Sequence, residues 1–470
     1  MPARSKQRVI LDLADYYCAY PELVTSGGAG ARIATRWAES LYEQPTAGEK
    51  GQRDAIWNKY FIGWGETFVS DGGRERALGT LWWQAGRFLE LIVETGNEPL
   101  ALESLRLRET RYPLELESAF AFSDPRLEQV IPIMVRALQM CSHETYMDCP
   151  YYEQLMYVGD TRLEVLATYA ISSDDRLPRK AVQLFDVSRV PDGFTYSRFP
   201  SRVFQVIPTF SLWWVGMVYD YALYRGDREF VRERLKGTRA VLDAFLGQQG
   251  DSALIRSTEY WNFVDWVPEW PRGIPPGGHA GGISGVVQWH VLLALGYAAK
   301  LERWVGESEL AERYERRARE LFAAVREKLW SEAHGLFAED LGLSSFSEHS
   351  QALAIVSGLL SDPEQEALVS RVIAAAAQSD GLPEFARTTI YFSHYLFDAF
   401  ARTGRADALF ERLALWFELD ARGFKTTFEA PGSTRSDCHA WGAHPLHHYY
   451  ASILGVRPAS FGFERVRIAP

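Results

Sequence analysis

Cysteine is scarce in this chain of 470 residues: four occur, Cys18, Cys141, Cys149 and Cys438, and no two form a CxxC pair. Neither a disulfide scaffold nor a thiolate metal site is indicated, and a reducing compartment suits the chain best. Basic charge is also in short supply, with 50 Lys and Arg against 61 Asp and Glu and a formal net charge of -11. That balance implies no surface for gripping a phosphate backbone, so nucleic acid is not an expected partner. No apolar run approaches the roughly 18 residues of a membrane-spanning helix, and the first residues, MPARSKQRVILDLADYY, lack an apolar stretch of signal-peptide length. The expectation is a soluble, cytoplasmic chain with no membrane partner; homo-oligomerisation is left open. A GxSxG elbow, a GxGxxG turn after a strand, a Walker A loop and an HExxH pair are all missing, so the usual signatures of serine hydrolases, nucleotide binders and zinc proteases are absent and no metal or cofactor is expected.

Apolar and aromatic residues, by contrast, are plentiful. Hydrophobic residues make up 47% of the chain, enough for a sizeable core, and the 15 Trp, 22 Tyr and 26 Phe make 13%; such a supply also suits a site that stacks on the flat faces of sugar rings. Up to about residue 120 the pattern is β: Arg8 to Leu13, Ala31 to Trp37, Thr67 to Ser70, Phe88 to Thr95 and Glu103 to Thr110 are short, alternating or β-branched, with Gly-rich or charged turns between them. This punctuation predicts a β-sandwich over residues 1–122, with the AGEKGQR stretch from Ala47 to Arg53 as an exposed loop.

After Ser123, Asp124 and Pro125, cap and first-turn residues of a helix, the period lengthens to about 3.6. Amphipathic segments then recur at 125–143, 160–172, 178–187, 209–225, 227–248, 283–304, 307–331, 348–360, 362–378, 389–404, 406–419 and 440–454. Short turns such as Arg225-Gly226-Asp227 join neighbours into hairpins, and six such hairpins can close into an (α/α)6 barrel over 123–455, with the longer loops gathered around a pocket. Alternation returns in FERVRIAP near the end. Residues 456–470 are therefore expected to open a C-terminal β domain, starting a strand with nothing after it to pair with.

Three clusters could carry chemistry. YMDCPYYEQLMYVGDTR, Tyr146 to Arg162, sets Asp148, Glu153 and Asp160 among tyrosines before a helix. Carboxyls among aromatics lose hydration and raise one another's affinity for protons, which suits a general acid; a solvated loop in which Asp160 caps the next helix is the alternative. TTFEAPGSTRSDCHAWGAHPLHHYY, Thr426 to Tyr450, holds Glu429, Asp437, His439, Trp441, His444, His447 and His448. His447 and His448 fall in a helical pattern and read as core or surface residues. EYWNFVDWVPEW, Glu259 to Trp270, precedes a Pro- and Gly-rich loop and suits either a platform for a polar ring or an apolar plug; Trp213 and Trp214 could add a wall. Two carboxylates from distant segments are what glycosidic hydrolysis requires, and Glu153 with Glu429 is the natural pair.

These segments resemble the bacterial α-L-rhamnosidases of glycoside hydrolase family 78, among the six-hairpin glycosidases. DCPYYEQLMYVGDTR is similar to the family's Asp-Cys-Pro signature with its following acid and Gly-Asp; VDW is similar to an Asp-Trp element, and TTFEAPGSTRSDCHAW to the late Glu and His-Ala-Trp region. The resemblance implies a cofactor-free, inverting hydrolase of terminal α-L-rhamnosyl or similar deoxy-sugar residues, with Glu153 as general acid and Glu429 as general base. It implies that Asp148 and Asp160 hold sugar hydroxyls, that Tyr152, Tyr157, Trp214, Asp265, Trp266 and Trp441 surround the sugar, and that His439 contacts it. Many members carry Arg immediately before the acid, where this chain has Tyr152, so the sugar accepted could differ. A six-hairpin hydrolase of other specificity, for glucose or glucuronate, and a non-catalytic glycan-binding protein are the alternatives.

Overall fold

The computed structural model describes residues 1–377 and 385–470. Six strands form one antiparallel sheet among the described residues: β1 (Lys6–Gly27), β2 (Arg32–Ala38), β3 (Trp64–Val69), β4 (Arg76–Gly79), β5 (Gln84–Glu94) and β6 (Leu100–Glu109), in the order β3-β2-β5-β1-β4 with β6 also on β1. Five of these strands cover the segments expected from alternation to within one residue. Hydrogen bonding runs through all six strands because β1 is far longer than its alternating part. It pairs with β5 from Lys6 to Asp12, shifts register between Asp12 and Tyr17, pairs with β5 again from Tyr17 to Ala19, and also pairs with β6 and β4 along its second half. Such a bulge bends a strand and lets it serve two sets of neighbours; Ala14 takes a left-handed conformation there, at φ 63°.

The helices are α1 (Pro125–Met140), α2 (Val158–Ile171), α3 (Arg176–Val187), α4 (Pro208–Arg225), α5 (Arg228–Leu246), α6 (Gly285–Val305), α7 (Ser308–Leu329), α8 (Glu348–Ser357), α9 (Asp362–Ala377), α10 (Ser393–Arg402), α11 (Ala406–Arg412), α12 (Ala414–Ala421) and α13 (Pro445–His448). Local chemistry explains many of the ends. The Asp124 side chain accepts from the Arg126 backbone N–H before Pro125. Gly226 closes α4 in the left-handed conformation, and Asp227 caps α5 through the Phe230 N–H. The pattern expected at 406–419 is realised as two short helices, and that at 440–454 as α13 between a 3-10 turn and a π turn. The helix expected over 362–378 is seen to Ala377; Gln378 lies outside the described residues.

By compactness the chain divides into two units, which cut across the expected domains 1–122, 123–455 and 456–470. The first holds Met1–Leu114, Phe120–Gln154 and Leu415–Ala443; the second holds Glu115–Ala119, Leu155–Ala414 and His444–Pro470. In the first unit the sheet, α1 and the later segment share a core of Tyr16, Cys18, Trp83, Ala85, Met140, Cys141, Met147, Cys438 and Ala440. In the second, α2, α4, α6, α8 and α10 pack each on the next, and α13 touches both α10 and α2, so six helices of the described residues close a cycle. α2 and α4 are buried on nearly every side, whereas α3, α5 and α7 bury one stripe; helices apolar all round belong inside and amphipathic ones outside. Gly159 lets α2 close on its neighbours, since a Cβ there would meet Phe210 and the Tyr391 hydroxyl at 2.6 Å. Near the end, Val466–Ile468 pairs antiparallel with Val456–Pro458, which corrects the expectation of an unpaired opening strand.

Candidate active site

Glu153 and Glu429, 276 positions apart in the sequence, lie in the same unit and meet through one side chain. Arg435 donates from Nη2 to Oε1 of Glu153 at 3.0 Å and from Nε to Oε2 of Glu429 at 3.3 Å. Those two guanidinium nitrogens are about 2.3 Å apart in the rigid planar group, so the carboxylate oxygens they hold lie within about 9 Å of each other. Glu429 is almost buried, with its side chain 11% exposed, whereas the side chains of Glu153 and Arg435 are 27% and 48% exposed. Burial opposes the charge on Arg435, but Glu429, Cys149 and Glu153 outweigh it and raise its proton affinity further. Its guanidinium also stands 5.1 Å from the Tyr152 ring. An arginine thus reaches Glu153 from position 435, which motif spacing could not show.

The surrounding residues are fixed by the backbone. Glu429 N–H donates to the Ser436 carbonyl, His439 N–H to that of Thr427, and the Trp441 indole to that of Glu429, at 3.1, 2.8 and 2.9 Å. His439 packs on Trp441 with ring centroids 4.3 Å apart. The buried Asp148 accepts from the Cys149 thiol at 3.1 Å, and its carbonyl accepts from the Ala440 N–H at 3.3 Å. Asp148, Tyr152, Glu153, Glu429, His439 and Trp441 therefore belong to one compact unit.

A charge network anchors this loop to the β-rich unit. Asp437 accepts from Ser40, Lys50 and Arg53, its N–H donates to Glu39 at 2.9 Å, and Lys50 also donates to the Arg435 carbonyl at 2.7 Å. Burial works against the Asp437 charge, yet Lys50 and Arg53 hold its carboxyl below the usual range. Burial also dominates at Glu39, pushed up to about 7 against the pull of Lys50. The loop expected to be exposed from Ala47 to Arg53 is corrected here: 47–49 face solvent, but Lys50 and Arg53 are buried because they neutralise Asp437. Only the identity of their distant partner could have revealed this.

The remaining expected residues lie in the helical unit. Asp160 is buried in the first turn of α2, and Tyr157 precedes it, its hydroxyl accepting from Arg198 at 2.6 Å. Trp266 is partly exposed beside Trp261 and Phe263. Two of the expected residues are fully buried. Trp214 is fully buried and gives its indole N–H to the Val182 carbonyl at 3.0 Å, so it packs α4 on α3 and does not wall a site. Asp265 is sealed: it accepts from His349 Nε2 at 2.9 Å, from the Thr389 and Trp266 N–H groups at 2.8 and 2.9 Å, and from the Thr389 hydroxyl. A carboxylate so engaged holds its loop in place and has little capacity left for a sugar hydroxyl.

Among the described residues, two groups bring potential metal ligands within 4.8 Å of one another: His394 with His444 and His448, and Asp148 with Cys149 and His439. In the first group the rings bond to protein: His448 Nε2 lies 2.9 Å from His394 Nδ1, His448 Nδ1 lies 2.8 Å from the Ser452 hydroxyl, and His444 Nε2 lies 3.0 Å from the Ile390 carbonyl. In the second, burial pushes the Cys149 thiol up, away from the thiolate that a metal takes.

Residues 115–453 match the family model of the bacterial alpha-L-rhamnosidase six-hairpin glycosidase domain. The chain belongs to that family. A curated alpha-L-rhamnosidase of Alteromonas sp. (strain LOR) is 22% identical over 99% of this chain and 51% of its own length. A family GH78 rhamnosidase of Bacillus sp. GL1 superposes with a TM-score of 0.83 at 22% identity, over 99% of this chain and 48% of that one. The rhamnosidase of Klebsiella oxytoca with rhamnose bound superposes with a TM-score of 0.80 at 20% identity, over 97% of this chain and 89% of that one. The chain thus spans about half the length of the curated relative it matches, and at these identities the structural likeness concerns the fold.

Proposed function

We propose that the chain is a glycoside hydrolase that removes terminal α-L-rhamnosyl, or closely similar deoxy-sugar, residues from glycans or glycosides by an inverting two-carboxylate mechanism on an (α/α)6 six-hairpin framework. The observation that carries this reading is the shared guanidinium: Arg435 reaches both Glu153 and Glu429, so a proton donor and a water activator are brought to one place from the two segments that look most like the family's. In this reading Glu153 delivers its proton to the glycosidic oxygen as the C–O bond breaks, while Glu429 takes a proton from the water that forms the new bond at the anomeric carbon. The separation allowed by Arg435 is compatible with the roughly 6.5–9.5 Å of inverting enzymes, which leaves room for that water. The more exposed position of Glu153 suits the donor, which must meet a departing group; the more buried position of Glu429 suits a base that holds a single water.

Asp148, Tyr152, His439 and Trp441 keep their proposed sugar-facing roles on the strength of their place beside the pair. Asp160, Tyr157 and Trp266 keep theirs on the family resemblance alone. Among the described residues no helix is long and apolar enough to cross a membrane, and the four buried, unbridged cysteines suit the cytoplasm. The test is to incubate the protein with a panel of glycosides and follow the anomer first released by proton NMR. Fastest turnover of the α-L-rhamnoside with initial release of the β-anomer is expected. Retention of configuration would refute the mechanism, and silence across the panel with glycan binding intact would leave a binding protein.

A further inference from the structure

The β-rich unit carries aromatic rings that its own core does not use. Tyr60, Trp64 and Trp82 are 48%, 70% and 53% exposed, and large rings left in water are candidates for a surface that meets something. They come from three separate stretches, yet each is tied to the four residues from Tyr151 to Gln154 that contain Glu153. Trp82 donates its indole N–H to Oε1 of Gln154 at 2.7 Å. Trp64 stands directly opposite Trp37 in the β2–β3 pair and so on the same face of the sheet; the Trp37 carbonyl accepts from the Tyr151 hydroxyl at 2.9 Å. Tyr60 exchanges two backbone hydrogen bonds with Tyr42, whose hydroxyl lies 3.4 Å from that of Tyr152. Gln154 itself is held in the left-handed conformation, at φ 55°, with its N–H on the Cys149 carbonyl and its amide N–H on that of Pro150. A non-glycine residue persists there only when its surroundings fix it, so the indole of Trp82 is aimed by a rigid partner.

A general acid acts on the leaving oxygen, and whatever surrounds it on the solvent side faces the departing portion of the substrate, not the sugar being cleaved. From this placement we propose that Tyr60, Trp64 and Trp82 form the platform for the leaving group, and that this group is a flat ring with an apolar face, either a second sugar or an aromatic aglycone. The proposal rests on the assignment of Glu153 as acid. The three rings supply contact area with little entropy to lose, and continuity with the acid's own segment names the occupant: the rest of the same substrate.

The test compares kcat/KM on three α-L-rhamnosides: a disaccharide, an aryl rhamnoside and rhamnosyl fluoride, whose leaving group has no ring. Trp64→Ala should lower the ratio of ring-bearing substrate to fluoride by about three- to tenfold, the effect of one lost ring contact. Tyr60→Ala should lower it less, and Trp82→Ala should lower it more than Trp82→Phe, which keeps a ring and loses the N–H. Trp57→Ala, another exposed ring of this unit with no such tie, should leave the ratio where it was. A larger loss on the disaccharide identifies a sugar in the leaving position; a larger loss on the aryl substrate identifies an aromatic aglycone. An unchanged ratio in both Trp64→Ala and Tyr60→Ala, neither of which touches the hydrogen bonds of the acid's segment, overturns the proposal; if those variants lose self-association instead, the patch belongs to contact between copies. Failure of the protein itself to turn over any of the three overturns the hydrolase reading, a result distinct from an unchanged ratio.

Discussion

Two sets of acidic side chains in this molecule are built from the same residue types and are left in opposite conditions. In the helical unit, Asp265 accepts from four donors. Glu339 accepts from Ser347, Ser350 and the Val286 N–H, and Glu348 from Arg412 and from the N–H and hydroxyl of Thr388. Burial raises Glu339 against the pull of those hydrogen bonds. In the β-rich unit, Glu153 and Glu429 are held by Arg435, whose side chain is about half exposed. A buried carboxylate with its oxygens fully engaged fastens loops together; one held by a half-exposed arginine can exchange that partner for substrate or water. Three acids thus serve architecture in one place, while two are left with an exchangeable partner in the other.

The largest expected effect would break this contrast outright. Glu153→Gln and Glu429→Gln should each lower kcat on a natural rhamnosyl disaccharide by on the order of 10²- to 10⁴-fold, while thermal unfolding moves little; unreduced turnover in either variant removes that residue from its role. A disaccharide is needed because activated leaving groups require less protonation. Next comes Asp437, a fastening acid within the β-rich unit, which holds the loop that carries Glu429 and Arg435. Asp437→Ala leaves Lys50 and Arg53 buried without their partner and should cost roughly 3–5 kcal/mol in a denaturant titration; a loss under about 1 kcal/mol would mean that water replaces the carboxylate.

Acid should sharpen the comparison further. Burial holds His143 and His447 down at about 4 and His444 at about 3, from an ordinary value of 6.5. The unfolded chain binds more protons than the folded one between those limits, so these groups make stability fall as pH drops from about 6.5 toward 4. Glu39, raised to about 7 from 4.5, acts in the opposite sense between those two values, because there the folded protein binds the proton more tightly. His447→Asn should flatten the acid limb by about 1.4 kcal/mol per pH unit, one proton's worth, as read by denaturant midpoints at stepped pH; an unaltered slope would show that His447 is solvated. The smallest effect on stability is expected at Arg435. Because its ion pairs are solvent-screened, Arg435→Leu should change stability by less than about 1 kcal/mol and yet lower kcat/KM roughly tenfold by loosening both carboxylates.

Much of this was readable before any coordinates. The helices from α1 to α10 begin and end within a few residues of the periodic segments because their caps are local: Asp124 with Pro125, and Gly226 with Asp227, act over one turn. The pairing of Glu153 with Glu429 was readable from motif resemblance. The bend in β1 was not, because its second half alternates poorly, and neither was the sealing of Asp265 by His349 and Thr389, more than 80 positions away.

The amino-acid sequence by itself determined the order and type of the elements and which short segments carry acids among aromatics, since period, caps and motifs are properties of neighbouring residues. Only the tertiary structure decided which acids are fully engaged by buried partners and which keep a partner that faces solvent. That choice depends on partners such as Arg435, Lys50 and Thr389, which packing brings together from distant parts of the chain, and local sequence carries no record of which remote charge a folded core will place beside a given carboxylate.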